Sequence, residues 1–499
     1  MMGPMKPIVM ALRHEVVPSD LPAWRRQLAE SLDAGARLVT LFGRADARNG
    51  VDVVTTAVLQ REDGQLAVLR GSGVRESAYP SLTPHFPAAQ MFERELWEQT
   101  GLTPTGHPWL KPVRYEDERQ QHMGEHPFFK VRGQEVHEVG VGPIHASVIE
   151  PGHFRFMCHG EQVQHLELQL GYQHRGVESL LLERPPLALT PLVEVIAGDT
   201  SIAYAWGYCA AVEALSGTQV SMAAERVRGV ALELERVAMH LVALTGLATD
   251  IAFLQGGASY GRLRTAVINA TMRVCGSRFG RGWLRPGGVR HGITDALRRD
   301  LLDTLGAFAK DIGEVNALML GARSVQSRFK GVGVVSRQVA ADIGMVGLAA
   351  RASGVAGDAR VSLPGRLYAA HPVASLTDDG GDCWARMSLR MREISESLRW
   401  LREVLETPDA ALDGSDDALL TPLGPLWRDT LCVSLREGFR GPVVQALETG
   451  PDGSLLHYKV QDPSLLNWFG LAMAVRDNGI SDFPICNKSF DLSYCGNDL

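Results

Sequence analysis

His174, Arg175 and Glu178 are the residues of this sequence whose types and spacing could do chemistry. They end the run Leu170-Gly171-Tyr172-Gln173-His174-Arg175-Gly176-Val177-Glu178, and His153, His159 and His165 precede them closely. A guanidinium stabilises developing negative charge, and a carboxylate or imidazole beside it can move a proton. Such charges are costly to bury unless they are paired or a site uses them. The same residues can also open a helix with a structural ion pair, and the two readings stand side by side here.

Metal and cofactor signals are sparse. The seven cysteines, Cys158, Cys209, Cys275, Cys383, Cys432, Cys486 and Cys495, include no C-x-x-C pair, and their odd number and wide spacing predict reduced thiols rather than a disulfide framework. His122, His126 and His137 fall in the charged stretch 115–140 with no supporting ligand spacing and read as solvated histidines. Gly331-Val332-Gly333 lacks the third glycine of a dinucleotide fingerprint, which argues against a direct NADH site. With 499 residues, 45% hydrophobic and 21% charged, the chain is predicted to fold into two or more domains. Its net charge of -7 and lack of a basic block exclude a nucleic-acid partner. Met1-Met2-Gly3-Pro4-Met5-Lys6-Pro7 makes a poor signal peptide. No run of about 18 apolar residues occurs, so a membrane role would be peripheral.

The elements that must position these residues make an α+β protein: a small N-terminal α+β domain, then a mainly helical bundle domain with a β-hairpin at its start. The division expected is a first domain over 1–115, a linker over 116–140 and a second domain over 141–499. In the first, a helix is predicted over 21–36, with Asp20 as cap and Pro22 in its first turn. A strand follows at 37–42, and Asp63-Gly64 joins strand-like runs at 51–60 and 65–69 into a hairpin. Glu93-Arg94-Glu95 reads as a solvated helix face. In the second domain, the alternation of Phe154-Arg155-Phe156 marks the opening hairpin over 142–170. Long helices over 226–244, 295–318 (capped by Thr294) and 384–405 share an apolar seam, as in a bundle. Arg228 and Arg236 fall on the far side of the first, and His240 reads as a core-edge histidine. Asp199 is either a buried acid or, by preference, the N-cap of a following helix. Residues 408–417 read as a loop.

A family resemblance runs through the same residues. Gly142-Pro143-Ile144-His145-Ala146, Ile149-Glu150-Pro151-Gly152-His153-Phe154-Arg155-Phe156 and the stretch ending at Glu178 together resemble the large subunit of energy-converting, membrane-bound nickel–iron hydrogenases of the formate hydrogenlyase and hydrogenase-4 type. They also resemble its cousin, the quinone-site subunit of respiratory complex I. Gly207-Tyr208-Cys209, Arg285-Pro286-Gly287-Gly288-Val289, and Tyr458-Lys459-Val460 before Asp462-Pro463-Ser464 extend the resemblance over nearly the whole chain. Glu93-Arg94-Glu95, Glu98, Gly101 and Gly106-His107-Pro108-Trp109-Leu110 resemble the small complex I subunit that packs against the quinone-site subunit, which implies a docking role for residues 93–114.

A nickel–iron centre needs four thiolates from two C-x-x-C pairs, because soft sulfur holds the metals. The resemblance aligns Ala197 and Thr200 with the first pair and Ser493 and Gly496 with the second, leaving Cys495 out of register. It therefore implies the nickel-free branch, with no metal ligand in this chain. The chain also departs from complex I: Ile149 stands where a second loop histidine belongs, and no tyrosine lies between Ala197 and Thr200, Tyr204 being the nearest. What the resemblance implies is an oxidoreductase subunit with His174, Arg175 and Glu178 as catalytic groups, Arg175 stabilising negative charge and Glu178 relaying protons. His145, Asp199, Thr200 and Tyr204 would line a cavity for a quinone or similar carrier. It implies no cofactor held by this chain, an iron–sulfur cluster in a partner subunit, membrane-arm subunits as further partners, and a peripheral place on the cytoplasmic side of the membrane. The alternative is a non-catalytic coupling scaffold between the iron–sulfur subunit and a membrane ion-translocating arm.

Overall fold

The structure, a computed structural model, describes residues 7–12, 16–46, 52–116, 123, 125–146, 149–407, 411–415 and 418–499. The readings made for His122, for residues 1–6 and for parts of the 408–417 loop concern positions outside that set.

The first strand, β1 (Ile8–Leu12), stands apart from the small sheet that follows it. Helix α1 (Leu21–Asp33) starts where the cap chemistry puts it: Ala23 N donates to Asp20 Oδ1 at 2.7 Å and Pro22 occupies the first turn. Its Trp24 and Leu28 are buried against an antiparallel sheet of β2 (Arg37–Ala45), β3 (Asp52–Gln60) and β4 (Leu66–Val74). The hairpin turn falls at Asp63-Gly64, where glycine supplies a φ of 81°. Helix α2 (Gln90–Thr100) packs on β2 and ends at Gly101.

The acidic residues of α2 are buried, against the reading of a solvated face. The Glu93 carboxylate accepts from Ser81 Oγ at 2.6 Å, Leu82 N at 2.9 Å and Thr83 N at 3.1 Å. The Glu98 carboxylate accepts from Val113 N at 2.8 Å and Arg114 N at 3.1 Å. Buried carboxylates are tolerated where amides satisfy them in this way, and a hydrophobicity pattern cannot see such partners.

The second half opens with three strands: β5 (Val136–Val141), β6 (His153–His159) and β7 (Gln162–Gln169), paired antiparallel in the order β7-β6-β5. The first of them lies in the stretch read as linker. After α3 (Val177–Leu182) and α4 (Ser201–Leu215) come the long helices α5 (Met222–Asp250), α6 (Leu254–Cys275), α7 (Asp295–Gly321) and α8 (Cys383–Glu406). Helix α7 buries a single face, with Leu301, Leu305, Phe308 and Ile312 inward. Helix α5 is enclosed on nearly all sides, because its polar residues are paired internally. Arg228 holds Glu213 at 2.5 Å, and Arg236 holds Glu233 at 3.0 Å and donates to Gly438 O at 2.8 Å. His240 is fully buried rather than at the core edge; its Nε2 lies 2.9 Å from Glu393, and burial pushes its pKa down to about 4.

The C-terminal region, where the sequence showed only family motifs, carries a sheet. Strands β8 (Thr430–Glu437), β9 (Pro442–Thr449) and β10 (Leu455–Gln461) pair antiparallel, and β1 completes the sheet beside β8. The chain's first described strand thus joins its last sheet. Helices α9 (Ser464–Ala474), α10 (Phe483–Phe490) and α11 (Tyr494–Asp498) follow. Among the described residues, no helix is long and apolar enough to cross a membrane.

Charge ties the N-terminal sheet to this C-terminal sheet. Glu448 on β9 is buried against Arg44 Nε at 2.5 Å and Arg70 at 2.6 Å. Burial works against its charge, yet the two arginines hold the carboxyl at about 2. An unfolded glutamate titrates near 4.3, so the depressed pKa contributes roughly 3 kcal/mol above that pH, lost as the pH falls from about 4.3 toward 2. Urea unfolding of wild type and Glu448→Gln at pH 6 and pH 3 should show the stability gap between them narrowing at pH 3. A gap of the same size at both would contradict this assignment.

Candidate functional site

The candidate residues gather where three segments meet: the 170–178 turn after β7, the 195–200 loop before α4, and helix α11. The chain end is clasped by the turn. Arg175 N donates to Leu499 O at 2.7 Å, and the Asp498 carboxylate accepts from Gly171 N at 2.8 Å and Gln173 N at 2.9 Å. His174 Nδ1 donates to Asp498 O at 2.8 Å, which fixes the ring and leaves Nε2 4.0 Å from Glu116.

Arg175 is not the partner of Glu178. Its guanidinium donates to Ile196 O at 2.8 Å, Val195 O at 3.3 Å and Cys495 O at 2.9 Å. One side chain therefore pins the 195–200 loop to helix α11, the two segments that the resemblance aligns with the thiolate pairs. Glu178 sits in the first turn of α3, ion-paired with Lys459 at 3.0 Å and accepting from Val460 N at 2.9 Å and Gln99 Nε2 at 3.0 Å. Lys459 also lies 2.7 Å from Glu95, Glu95 bonds Arg114, and Arg114 donates to Asn497 O at 2.9 Å. Burial alone would raise the Glu178 carboxyl, but Lys459 and Arg114 outweigh it and hold it at about 2. The helix-start reading was right about the helix; the ion pair reaches a lysine from β10 instead of the adjacent arginine.

Asp199 does not cap α4. Its two oxygens take Arg440 in a fork at 2.8 and 2.7 Å, and Thr200 Oγ1 donates to it at 2.9 Å. The cap of α4 comes from Glu235, which accepts from Ile202 N at 2.7 Å and Ala203 N at 3.2 Å. Burial pushes this carboxyl up to about 8 despite those amides. Tyr204 is fully buried below the loop, donating to Asp462 at 2.7 Å, and does not face the surface. His145 Nε2 donates to Gly152 O at 2.9 Å, which closes the β5–β6 loop. That loop abuts α11, since a Cβ on Gly152 would meet the Tyr494 ring at 2.8 Å.

Sequence reasoning missed Arg440, Glu235, Lys459 and Asp462 as parts of this site. Glu235, Lys459 and Asp462 lay inside noted motifs or elements, but their partners are far away along the chain; Asp462 and Tyr204 are 258 positions apart.

These residues do not fit a nickel–iron centre. Ala197 is a buried methyl, and the Thr200 hydroxyl is committed to Asp199. Ser493 Oγ caps α11 by accepting Gly496 N at 2.9 Å. Gly496 lies against Asp462, whose Oδ2 would be 2.5 Å from any added Cβ. Burial and the nearby Glu150 push the Cys495 thiol up to about 11, so it stays protonated. Among the described residues, no group of three or more His, Cys, Asp or Glu side chains is placed to hold a metal ion. Gly496→Cys should therefore destabilise the chain by about 1–3 kcal/mol, as overpacking does. A melting temperature equal to wild type would show that the space around Asp462 is not closed.

Comparison with known proteins places this geometry. Residues 251–422 match the model of the respiratory-chain NADH dehydrogenase 49 Kd subunit, and residues 15–131 match that of its 30 Kd subunit. Formate hydrogenlyase subunit 5 of Escherichia coli is 28% identical over 500 residues, covering 93% of this chain and 85% of its own length. Hydrogenase-4 component G of the same organism is 28% identical over 442 residues, 84% of this chain and 76% of that one. The D-type NADH-quinone oxidoreductase subunit of Clostridium beijerinckii is 31% identical over 265 residues, 53% of this chain and 72% of that protein. With its 49 Kd-type portion preceded by a 30 Kd-type portion, the chain belongs to the family of the 49 Kd-type NADH-quinone oxidoreductase subunit and its hydrogenase-like relatives.

Proposed function

We propose that this chain is the subunit of a membrane-associated, complex I-related oxidoreductase complex that forms, with an iron–sulfur partner, a site for a quinone or similar carrier and works without a nickel–iron centre. The observation that carries this reading is the surface character of the site. Arg175 is exposed, as is Val195, whose carbonyl it holds and whose side chain is 40% exposed; on the β5–β6 loop that abuts α11, Ile144 is 81% exposed and Ile149 44%. An exposed cation and solvent-facing apolar side chains on the segments that meet here suit a buried interface in which a carrier sits between two subunits. The names of the relatives, NADH-quinone oxidoreductase and formate hydrogenlyase, point to the same class of assembly. Attachment on the cytoplasmic side through membrane-arm subunits belongs to this reading.

Electrons would arrive from the partner's cluster. Arg175 would stabilise negative charge on the reduced carrier, and His174, with Nδ1–H committed to Asp498, would hold or release a proton at Nε2. Glu178, kept anionic by Lys459, positions the turn in this scheme and is a poor relay. A second reading, the non-catalytic coupling scaffold, is favoured by one observation: Arg175, Asp199 and Tyr204 each already hold partners within the chain.

The purified complex separates the two. Quinone reduction should fall roughly 100-fold in Arg175→Met, with subunit composition unchanged, and elemental analysis should find no stoichiometric nickel. Quinone reduction that is absent, or indifferent to Arg175, would establish the scaffold. Stoichiometric nickel would contradict both.

A further inference from the structure

A cavity of 560 Å³ lies between α4, the start of α5, the 359–368 segment and the edge formed by β1 and β8. None of the site residues described above lines it. Its volume is in the range of small-molecule sites. Trp206, Tyr368, Leu232 and Leu363 supply an apolar wall, with the Trp206 and Tyr368 rings stacked 6.5 Å apart.

Arg436 is the anomaly in that wall. It is the one residue of β8 that is not fully buried, and it lines the cavity. Its guanidinium lies 5.0 Å from the centre of the Trp206 ring. Among the described residues it has one hydrogen bond, donated to the carbonyl of its neighbour Leu435 at 3.2 Å, while Nε is buried without a partner. The other arginines of the wall each have a carboxylate: Arg228 has Glu213 at 2.5 Å, Arg366 has Glu225 at 2.7 Å, and Arg360 has Asp358 at 2.7 Å. Burial with so little compensation pushes the Arg436 pKa down to about 10, although Glu225 and Glu213 act on it from a distance. A buried charge is normally paired, so one guanidinium here lacks its counter-charge.

We propose that this cavity binds a small organic anion, a carboxylate on a flat apolar body, with the carboxylate on Arg436 and the body against Trp206 and Tyr368. The planar fork of arginine matches a carboxylate in a two-point contact. One negative charge balances the single unmatched cation, whereas a phosphate dianion would leave an excess. The half-apolar wall takes a ring rather than a free inorganic ion.

The probes are 2-naphthoate and its uncharged methyl ester, titrated calorimetrically into the full chain, with melting curves in parallel. Naphthoate should bind once per chain and raise the melting temperature, and the ester should do neither. In Arg436→Met and in Arg436→Lys, which keeps the charge but loses the fork, naphthoate affinity should fall by about tenfold or more. The ester comparison on wild type stands even if a variant fails to fold. No naphthoate binding by wild type, equal binding of the ester, or undiminished affinity in folded Arg436 variants would overturn the proposal.

Discussion

Lys459 sits between two carboxylates, 3.0 Å from Glu178 and 2.7 Å from Glu95, and much of the molecule's architecture runs through that ammonium. Glu178 belongs to the turn that clasps the chain end, Glu95 to the N-terminal helix α2, and Lys459 to the C-terminal sheet. Glu95 passes the alternation on to Arg114, whose Nε holds the carbonyl of Asn497 in α11. Three parts of the sequence, widely separated, are thus fixed by one row of alternating charge. Such a row contributes little net stability over an apolar replacement, but removing one member strands a buried charge. It specifies which segments meet.

The same device recurs through the core. Arg351 joins Glu393 at 2.7 Å and Glu437 at 2.8 Å, linking α8 to β8. Glu233 receives Arg236, Arg360, Tyr368 and Ser397, linking α5 to α8 and the 359–368 segment. At the site, Arg440 and Asp199 link the β8–β9 turn to the α4 loop. Charges that would mark a reactive centre in an isolated motif here hold segments in register. The Arg175 side chain, by contrast, is left exposed where it holds the 195–200 loop to α11.

Local chemistry was legible in the sequence. The Asp20 and Thr294 caps, the Asp63-Gly64 turn and the one-sided periodicity of α7 all stand where residue types put them. Gly496, which the resemblance aligns with a thiolate position, lies against Asp462. What pattern reading could not reach were pairings across the chain. Glu93 and Glu95 read as solvated because carboxylates usually are, and His240 read as an edge residue because its partner Glu393 lies 153 positions on. Asp199 resembled a cap because the true cap, Glu235, comes from another helix. The C-terminal sheet went unread although Leu431, Val433 and Leu435 alternate with Cys432, Ser434 and Arg436 in β8; the alternation is not continued in β9, and both strands are buried along nearly their whole length, polar residues included.

Glu178 acts as a structural partner of Lys459. A double-mutant cycle on folding stability with Glu178→Gln, Lys459→Met and the pair tests it most directly. The expected coupling energy is about 2 kcal/mol or more, because each single change takes a close counter-charge from a buried ion, Lys459 keeping only Glu95 and Glu178 only its amide donors and the more distant Arg114. Additivity within about 0.5 kcal/mol would show the two charges to be independent and would contradict it.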